Sequence, residues 1–327
     1  MVNRKIKIIV LQGGFEPECF ASRLNGETIY KALLSAGYEN VQQVEVDENI
    51  ISVLGNTSPD FAFISLFCKW GEDGVIQSLL EILKIPYSGS GIEASSLCNN
   101  KYLFSMFAKG IGIQVPKTKL FLSGDEIDSN SIKYPCVVKP LYQGNSVGIS
   151  FVDNEVQLND AVDTAFQHGN SIILQEFIKG REFTVGVIDI PYKGARVLPI
   201  IEMKLGRNIQ DNEIKEKDIL IEEVVPAEIS EKEREELERD SLLLHKRSGC
   251  LGVSRFDVRQ DKQGNFFFLE NNTCPAVMDL ETNDLPRQLT AANISIENYV
   301  DNMVQIGFDR RAAKIDYSYF SHLESKI

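Results

Sequence analysis

With 327 residues, 43% hydrophobic and 25% charged, the chain has the make-up of an ordinary globular protein and enough length for two or three packed units. Its formal net charge of −13 repels phosphate backbones and argues against nucleic-acid partners, while leaving room for a local basic pocket that holds one nucleotide. No apolar run approaches the roughly 20 residues of a membrane span, and the Met1–Lys5 start lacks the apolar core of a signal peptide, so a cytoplasmic protein with no membrane partner is expected.

Ile6 to Leu11 is a β-branched run ending at Gly13-Gly14, which predicts a strand, a glycine loop and a helix over Leu24–Ala36 stopped by Gly37. Val41–Val46 and Phe61–Leu66 read as further strands and Gly74–Leu83 as a helix; this alternation predicts a parallel sheet faced by helices. Pro86 and Ser88-Gly-Ser-Gly91 break the rhythm and suggest a boundary. Beyond it, a helix over Ser95–Lys109 closed by Gly110, strands at Cys136–Lys139, Gly148–Val152 and Ser171–Phe177, and a helix over Glu155–His168 form a second α+β unit. The third offers strands at Phe183–Ile188, Val197–Ile201, Ser254–Arg259 and Phe266–Glu270. Lys204–Glu223 is polar without clear period, as lids are. Ser230–Lys246 reads as a solvated helix, with Ser230 and Glu233 in capping-box spacing. The expected units are 1–92, 93–178 and 179–327, the last carrying a lid at 204–223.

The six cysteines show no C-x-x-C spacing and several sit in apolar runs, which favours buried, reduced thiols over a zinc ribbon. His168, His245 and His322 read as surface residues, leaving no base for a Ser-His-Asp or Cys-His mechanism.

Two segments carry chemistry. In Lys139-Pro-Leu-Tyr-Gln-Gly-Asn-Ser-Val-Gly148 a lysine ends a strand and a small-residue loop leads to the next one. Glycine lets backbone N–H groups approach an anion, and lysine supplies countercharge; taken alone, an ordinary β-hairpin with a surface lysine reads the same. In the second, Asp257 lies on one strand, and Glu270 and Asn272, two apart, share a face of the next. Two carboxylates and an amide are hard oxygen ligands suited to Mg2+, and Phe266-Phe-Phe-Leu269 marks a buried sheet rather than a solvated acidic edge.

Together these segments resemble an ATP-grasp protein, and specifically the D-alanine–D-alanine ligase family. The resemblance runs from Gly13 to about Val304, and its markers stand in family order: Gly13-Gly14 with Glu18, Gly71-Glu-Asp-Gly74, Ile85-Pro-Tyr-Ser-Gly89, Lys101, Lys139-Pro140, Gly180-Arg-Glu182, Arg255 with Asp257, and Glu270-x-Asn272-Thr273. It implies an α/β ATP-grasp fold: an N-terminal parallel-sheet domain followed by two α+β lobes that enclose ATP. Lys101 and Lys139 would hold phosphates, with Gly144 and Ser146 in the glycine loop. Gln175, Glu176, Phe177 and Ile178 would form the adenine-facing hinge, Glu182 would bond the ribose and Leu269 would pack on adenine. Asp257, Glu270 and Asn272 would bind two Mg2+ ions, for which Mn2+ can substitute. Glu18 would meet the ammonium of the first amino acid, Arg255 would stabilise the developing oxyanion, and Lys215 would act from the lid. The implied reaction is ATP-dependent ligation of small amino-acid-like substrates through an acyl phosphate, by a protein that is a homodimer in many relatives.

The departures from the family cluster at the amino-acid sites. Leu66-Phe67-Cys68 stands where the family has Leu-His-Gly, Asn145-Ser146 where it has paired serines, Lys215-Glu216 where the lid has Lys-Tyr, and Pro275-Ala-Val-Met278 where it has Pro-Gly-Met-Thr. Asn283-Asp284 takes the place of the serine that grips the second carboxylate. Asp279, Glu281 and Asp284 add negative charge where such a carboxylate would sit, so a changed substrate pair is expected. An authentic D-alanine–D-alanine ligase and a non-catalytic nucleotide-binding paralogue are the alternatives.

Overall fold

β1 (Lys7–Gly13), β2 (Asn40–Val46) and β3 (Phe61–Ile64) form a parallel sheet in the order β2-β1-β3. Ile8 through Leu11 are all fully buried, because helices cover both faces of this sheet and every β1 side chain meets apolar neighbours. The computed structural model describes residues 2–14, 18–144, 146–205, 221–278 and 283–312. Among these, α1 (Cys19–Ser35) starts at Glu18, earlier than its apolar pattern suggests, and α2 (Ile50–Thr57) is an additional helix. α3 (Cys68–Gly71) is a single irregular turn in which Cys68 and Trp70 both take positive φ, at 49° and 71°. α4 (Val75–Ile82) follows as predicted.

The helix expected over Ser95–Lys109 is two helices, α5 (Ile92–Asn99) and α6 (Lys101–Gly110). Asn100 breaks it: its backbone is extended, and its side-chain oxygen accepts from the Leu103 N–H at 3.0 Å, capping α6. Lys101 therefore opens a new helix rather than sitting inside an old one.

The second sheet is antiparallel and ordered β4-β7-β5-β6, from β4 (Thr118–Leu122), β5 (Cys136–Pro140), β6 (Ser150–Val152) and β7 (Ser171–Glu176). α7 (Leu158–Phe166) packs Leu158, Ala161 and Ala165 on the face that carries Cys136, Val138 and Leu174. Period two then turns Lys139 and Gln175 to the opposite face.

The third sheet joins β8 (Gly180–Ile190), β9 (Gly194–Val197), β10 (Ile201–Leu205), β11 (Ile221–Val224), β12 (Val253–Asp261) and β13 (Phe266–Asn272), in the order β11-β10-β8-β12-β13 with β9 also on β8. The strand expected over Val197–Ile201 falls between β9 and β10. The two ends of the expected lid are an antiparallel pair, Glu202–Leu205 against Ile221–Val224, and residues 206–220 lie outside the described residues. α8 (Glu231–Arg247) carries the predicted capping box in both directions: Ser230 Oγ accepts from the Glu233 N–H, and the Glu233 carboxylate accepts from the Ser230 N–H at 2.8 Å. α5 and α6 pack on this third sheet through Ala94, Cys98, Phe104 and Ala108 against Phe183, Phe256 and Phe268. Fully burying one such phenylalanine stabilises by about 2 kcal/mol.

α9 (Asp284–Ala291) and α10 (Ile296–Ala312) return the chain to the first sheet, where Leu285, Leu289, Val300 and Val304 share one core with Ile8, Val10, Ile29 and Phe61. His245 is not a surface residue. It is 1% exposed, with Nδ1 2.8 Å from Ser254 Oγ and Nε2 3.2 Å from Asp189 Oδ2, because α8 presses it onto the start of β12.

Candidate functional site

Asp257 on β12 and Glu270 on β13 are direct cross-strand partners, and Arg255 and Asn272 are the next pair on the same face. Like charges placed opposite each other in a sheet repel. Burial, reinforced by Glu270 and Asp284 and opposed by Arg255, raises the Asp257 carboxyl well above its usual range. Burial also works to raise Glu270, but Lys101, Lys139 and Arg255 outweigh it and hold Glu270 below the usual carboxylate range. The pair is thus a half-buried acidic couple already faced by Lys101, Lys139 and Arg255. The Nδ2 atom of Asn272, buried on the same strand, has no hydrogen-bond partner, a situation that costs about 1–3 kcal/mol when nothing else answers it. Two carboxylates and an amide are oxygen donors that fit a hard divalent ion; among the described residues no cluster of three His, Cys, Asp or Glu competes with them.

Lys101, at the first position of α6, points its Nζ 2.9 Å from the Gln143 carbonyl and 3.4 Å from Glu270 Oε2. Lys139 is the last residue but one of β5 and is 5% exposed. Its pKa falls to about 8, because burial outweighs the attraction of Glu270, Asp257 and Glu182, and Lys101 repels it. A buried lysine so little compensated is a strong seat for an incoming anion. Both lysines and the oxygen trio therefore meet at one place, although they come from α6, β5, β12 and β13.

The loop after β5 closes over this place. A Cβ on Gly144 would stand 3.1 Å from Cys68 Sγ, so the loop approaches α3 closely. Ser146 is exposed and takes a φ of 58°. Glu72, Lys101, Gly144, Glu270 and Asn272 line a small cavity of about 20 Å3. Glu72 accepts from the Cys68 N–H at 2.9 Å and the Cys274 N–H at 3.1 Å, tying α3 to the segment after β13. Buried Glu18 begins α1 on this side too, and burial with the charges of Glu72 and Glu18 raises the Cys68 thiol to about 12.

The expected hinge residues stand where β7 leaves for β8. Gln175 is 3% exposed and its Nε2 donates to Thr118 Oγ1 at 3.1 Å. The Glu176 N–H donates to the Lys117 carbonyl. Phe177 stacks edge-on with Phe151 and under the Arg259 guanidinium at 4.6 Å, and Ile178 is buried. Gly180 must be glycine, since a Cβ would lie 2.0 Å from the Gln260 carbonyl oxygen. Arg259 donates to the Gly180 carbonyl at 3.1 Å and lies 3.8 Å from Glu182, which together pin the hinge to β12. Leu269 is half-buried on β13, two residues from Phe267. A cleft of about 720 Å3 runs along β4 and β7 past Gln175 and Glu176, and neither Lys101, Lys139 nor the oxygen trio lines it.

At the opposite end, Arg255 is held 3.2 Å from Asp257 and 3.4 Å from Asp284. Burial alone would lower its pKa, but these carboxylates and Glu270 keep it charged. Arg287 pairs with Glu223. α1 grips the segment after Pro275, for Asn25 Oδ1 accepts from the Val277 N–H at 2.7 Å and Thr28 Oγ1 donates to the Met278 carbonyl at 3.3 Å. Lys215, Asn145, Asp279 and Glu281 lie outside the described residues. The roles of Glu72 and Arg259 were not evident in the sequence; Glu72 stood only as a motif letter, and Arg259 differed in no visible way from a surface arginine.

Residues 107–305 match the family model described as D-ala D-ala ligase C-terminus. The chain is 35% identical over 300 residues to the D-alanine–D-alanine ligase of Geotalea uraniireducens, covering 91% of this chain and 94% of that protein. It is 35% identical over 312 residues to the D-alanine–D-alanine ligase of Fervidobacterium nodosum, covering 90% and 97%. Among solved structures it is similar to the D-alanine–D-alanine ligase from Bacillus anthracis complexed with ATP, with a TM-score of 0.82 at 25% identity over 95% of this chain and all of that one.

Proposed function

This chain belongs to the D-alanine–D-alanine ligase family and is an ATP-dependent ligase forming C–N bonds, and we propose that it joins a small amino-acid-like carboxylate to an amine other than D-alanine. The observation that carries the first part is the convergence of Lys101, Lys139, Asp257, Glu270 and Asn272. Lys101 and Lys139 receive the ATP phosphates, and the hinge of Gln175, Glu176, Phe177 and Ile178 takes the adenine, with Glu182 on the ribose. Asp257, Glu270 and Asn272 would hold two Mg2+ ions, whose charge neutralises that of the phosphates. Glu18 anchors the donor's ammonium, and the donor's own carboxylate takes the γ-phosphoryl group of ATP, ADP leaving, to become an acyl phosphate. Phosphorylation turns a poor electrophile into one with a good leaving group. Arg255 is assigned to stabilise the oxyanion that forms when the amine attacks. The segment 204–223 serves as the lid that excludes water, within the division 1–92, 93–178 and 179–327, and the protein works as a cytoplasmic homodimer.

The change of acceptor rests on Asp284. Its carboxylate already answers Arg255, so an acceptor carboxylate finds the guanidinium neutralised and meets Asp284 and Glu223 as like charges. Authentic D-alanyl-D-alanine synthesis is the second reading, favoured by the activity in the names of relatives at 35% identity. Phosphate release with paired amino acids and amines, followed by product mass, decides between them. Mg2+-dependent turnover that needs a donor and accepts amines better than D-alanine supports the proposal; fast D-alanyl-D-alanine formation overturns the altered acceptor.

A further inference from the structure

Behind the strand that carries Glu270 and Asn272 lies a pair of thiols that the ligase chemistry does not use. Cys98, in the last turn of α5, and Cys250, just after α8, have their sulfurs 3.9 Å apart in the core and are 2% and 7% exposed. Asn271, the residue between Glu270 and Asn272, donates its Nδ2 to both, at 3.1 Å to Cys98 and 3.3 Å to Cys250. Ser248 Oγ lies 3.2 Å from Cys250 Sγ. Gly249, at a φ of 74°, makes the turn that brings Cys250 back, and the Cys250 N–H donates to the His245 carbonyl at 3.0 Å. We infer that Cys98 and Cys250 are an oxidisable dithiol, which hydrogen peroxide closes to an intrachain disulfide that weakens the nucleotide site.

Cys250 is the attacking partner: it is the more exposed of the two, and both Ser248 Oγ and Asn271 Nδ2 lie against its sulfur. The Cys98 sulfhydryl, and after it His245, Ser248 and Asn271, draw the Cys250 thiol below its ordinary range against the effect of burial. The Cys250 thiolate attacks one peroxide oxygen; an S–O bond forms, the O–O bond breaks, and hydroxide leaves to take up a proton as water. The Cys98 sulfur, losing its proton, then displaces hydroxide from the sulfenic acid, which leaves as a second water. Two thiols are oxidised and one peroxide is reduced.

Closure has a mechanical consequence. A disulfide needs its sulfurs about 2.0 Å apart, so the two must approach from 3.9 Å. Cys98 is followed by Asn99, the cap Asn100 and Lys101, so the end of α5 that moves is the mount of the phosphate lysine. Asn271 loses two thiol partners at the same step, between the two residues expected to hold metal. The coupling to ATP rests on the proposed nucleotide site; the cross-link itself does not.

The test exposes the full-length protein and its Cys98→Ser variant to hydrogen peroxide, maps cysteine linkages by mass spectrometry of peptides, and measures Mg·ATP binding by calorimetry. The expected wild-type result is a Cys98–Cys250 peptide, a fall in free thiols from six to four, and Mg·ATP affinity weakened by roughly tenfold, all reversed by dithiothreitol. Cys98→Ser keeps its affinity under the same exposure, and Cys98→Ala replaces it if the serine variant does not fold. A map without the Cys98–Cys250 peptide overturns the dithiol. A cross-link with unchanged affinity, or equal loss in the variant, overturns its coupling to the site. Failure of the reduced protein to bind Mg·ATP counts against the nucleotide site instead, and the peptide map still decides the cross-link.

Discussion

The two ends of the site handle positive charge in opposite ways. At the phosphate end Lys139 is buried among carboxylates that only partly compensate it, so its pKa drops to about 8, and Lys101 leans on Glu270 at 3.4 Å. At the acceptor end Arg255 is flanked by Asp257 and Asp284, and Arg287 is paired with Glu223. An under-compensated cation gains more from an arriving anion than one already flanked by carboxylates. Under the proposed function, the first end receives a polyanion, and at the second Asp284 and Glu223 disfavour an acceptor bearing its own carboxylate while Arg255 stays charged for the reacting oxyanion.

The largest effect is expected at Lys139. Lys139→Ala should lower ATP turnover by about a hundred- to a thousandfold, with the fold kept by circular dichroism; unchanged turnover would remove this lysine from the site. Asp257→Asn comes next, with turnover down by roughly a hundredfold and a higher Mg2+ requirement, read from a metal titration. A variant that loses turnover at all metal concentrations without shifting the midpoint would speak against a metal role.

A smaller change tests the other end. Asp284→Asn should free Arg255 and raise kcat/KM for amino-acid acceptors by about tenfold, leaving the donor KM alone. If acceptor preference does not move, Asp284 is a structural partner of Arg255 and the electrostatic contrast fails as an account of selectivity. The smallest effect lies far from the site. Ser230→Ala should cost about 1 kcal/mol of stability with turnover unchanged. The same cap has a pH signature: hydrogen bonds from Gln260 and Ser230 lower Glu233 to about 2. Its contribution is therefore present above the unfolded carboxylate range and is lost as pH falls towards 2. A melting-temperature difference between wild type and Glu233→Gln that persists unchanged at pH 2 would contradict it.

Local signals in the sequence were enough where the cause is local. Ser230 and Glu233 announce their cap within four residues, and the β-branched run before Gly13 can only be a buried strand. Glu270 and Asn272 share a face because side chains alternate, so the oxygen trio was legible before any coordinates. Other features come from distant contacts. Asn100 splits one expected helix in two without a glycine or proline to signal it, because its side chain serves the new helix. His245 is buried through Ser254 and Asp189, which no pattern around it reveals. The Val197–Ile201 run is apolar because Leu198, Ile200 and Ile201 fill cores, although the ladder itself lies on either side. At the site, the direct pairing of Asp257 with Glu270 depends on a register shift between Asp257 and Val258, and the neutralising contact of Asp284 with Arg255 joins different elements.

A crystal structure with a non-hydrolysable ATP analogue and Mg2+ is the most direct measurement. The account predicts β- and γ-phosphates between Lys101 and Lys139, with metal on Asp257, Glu270 and Asn272. Phosphates bound away from both lysines, with no metal on that trio, would contradict it.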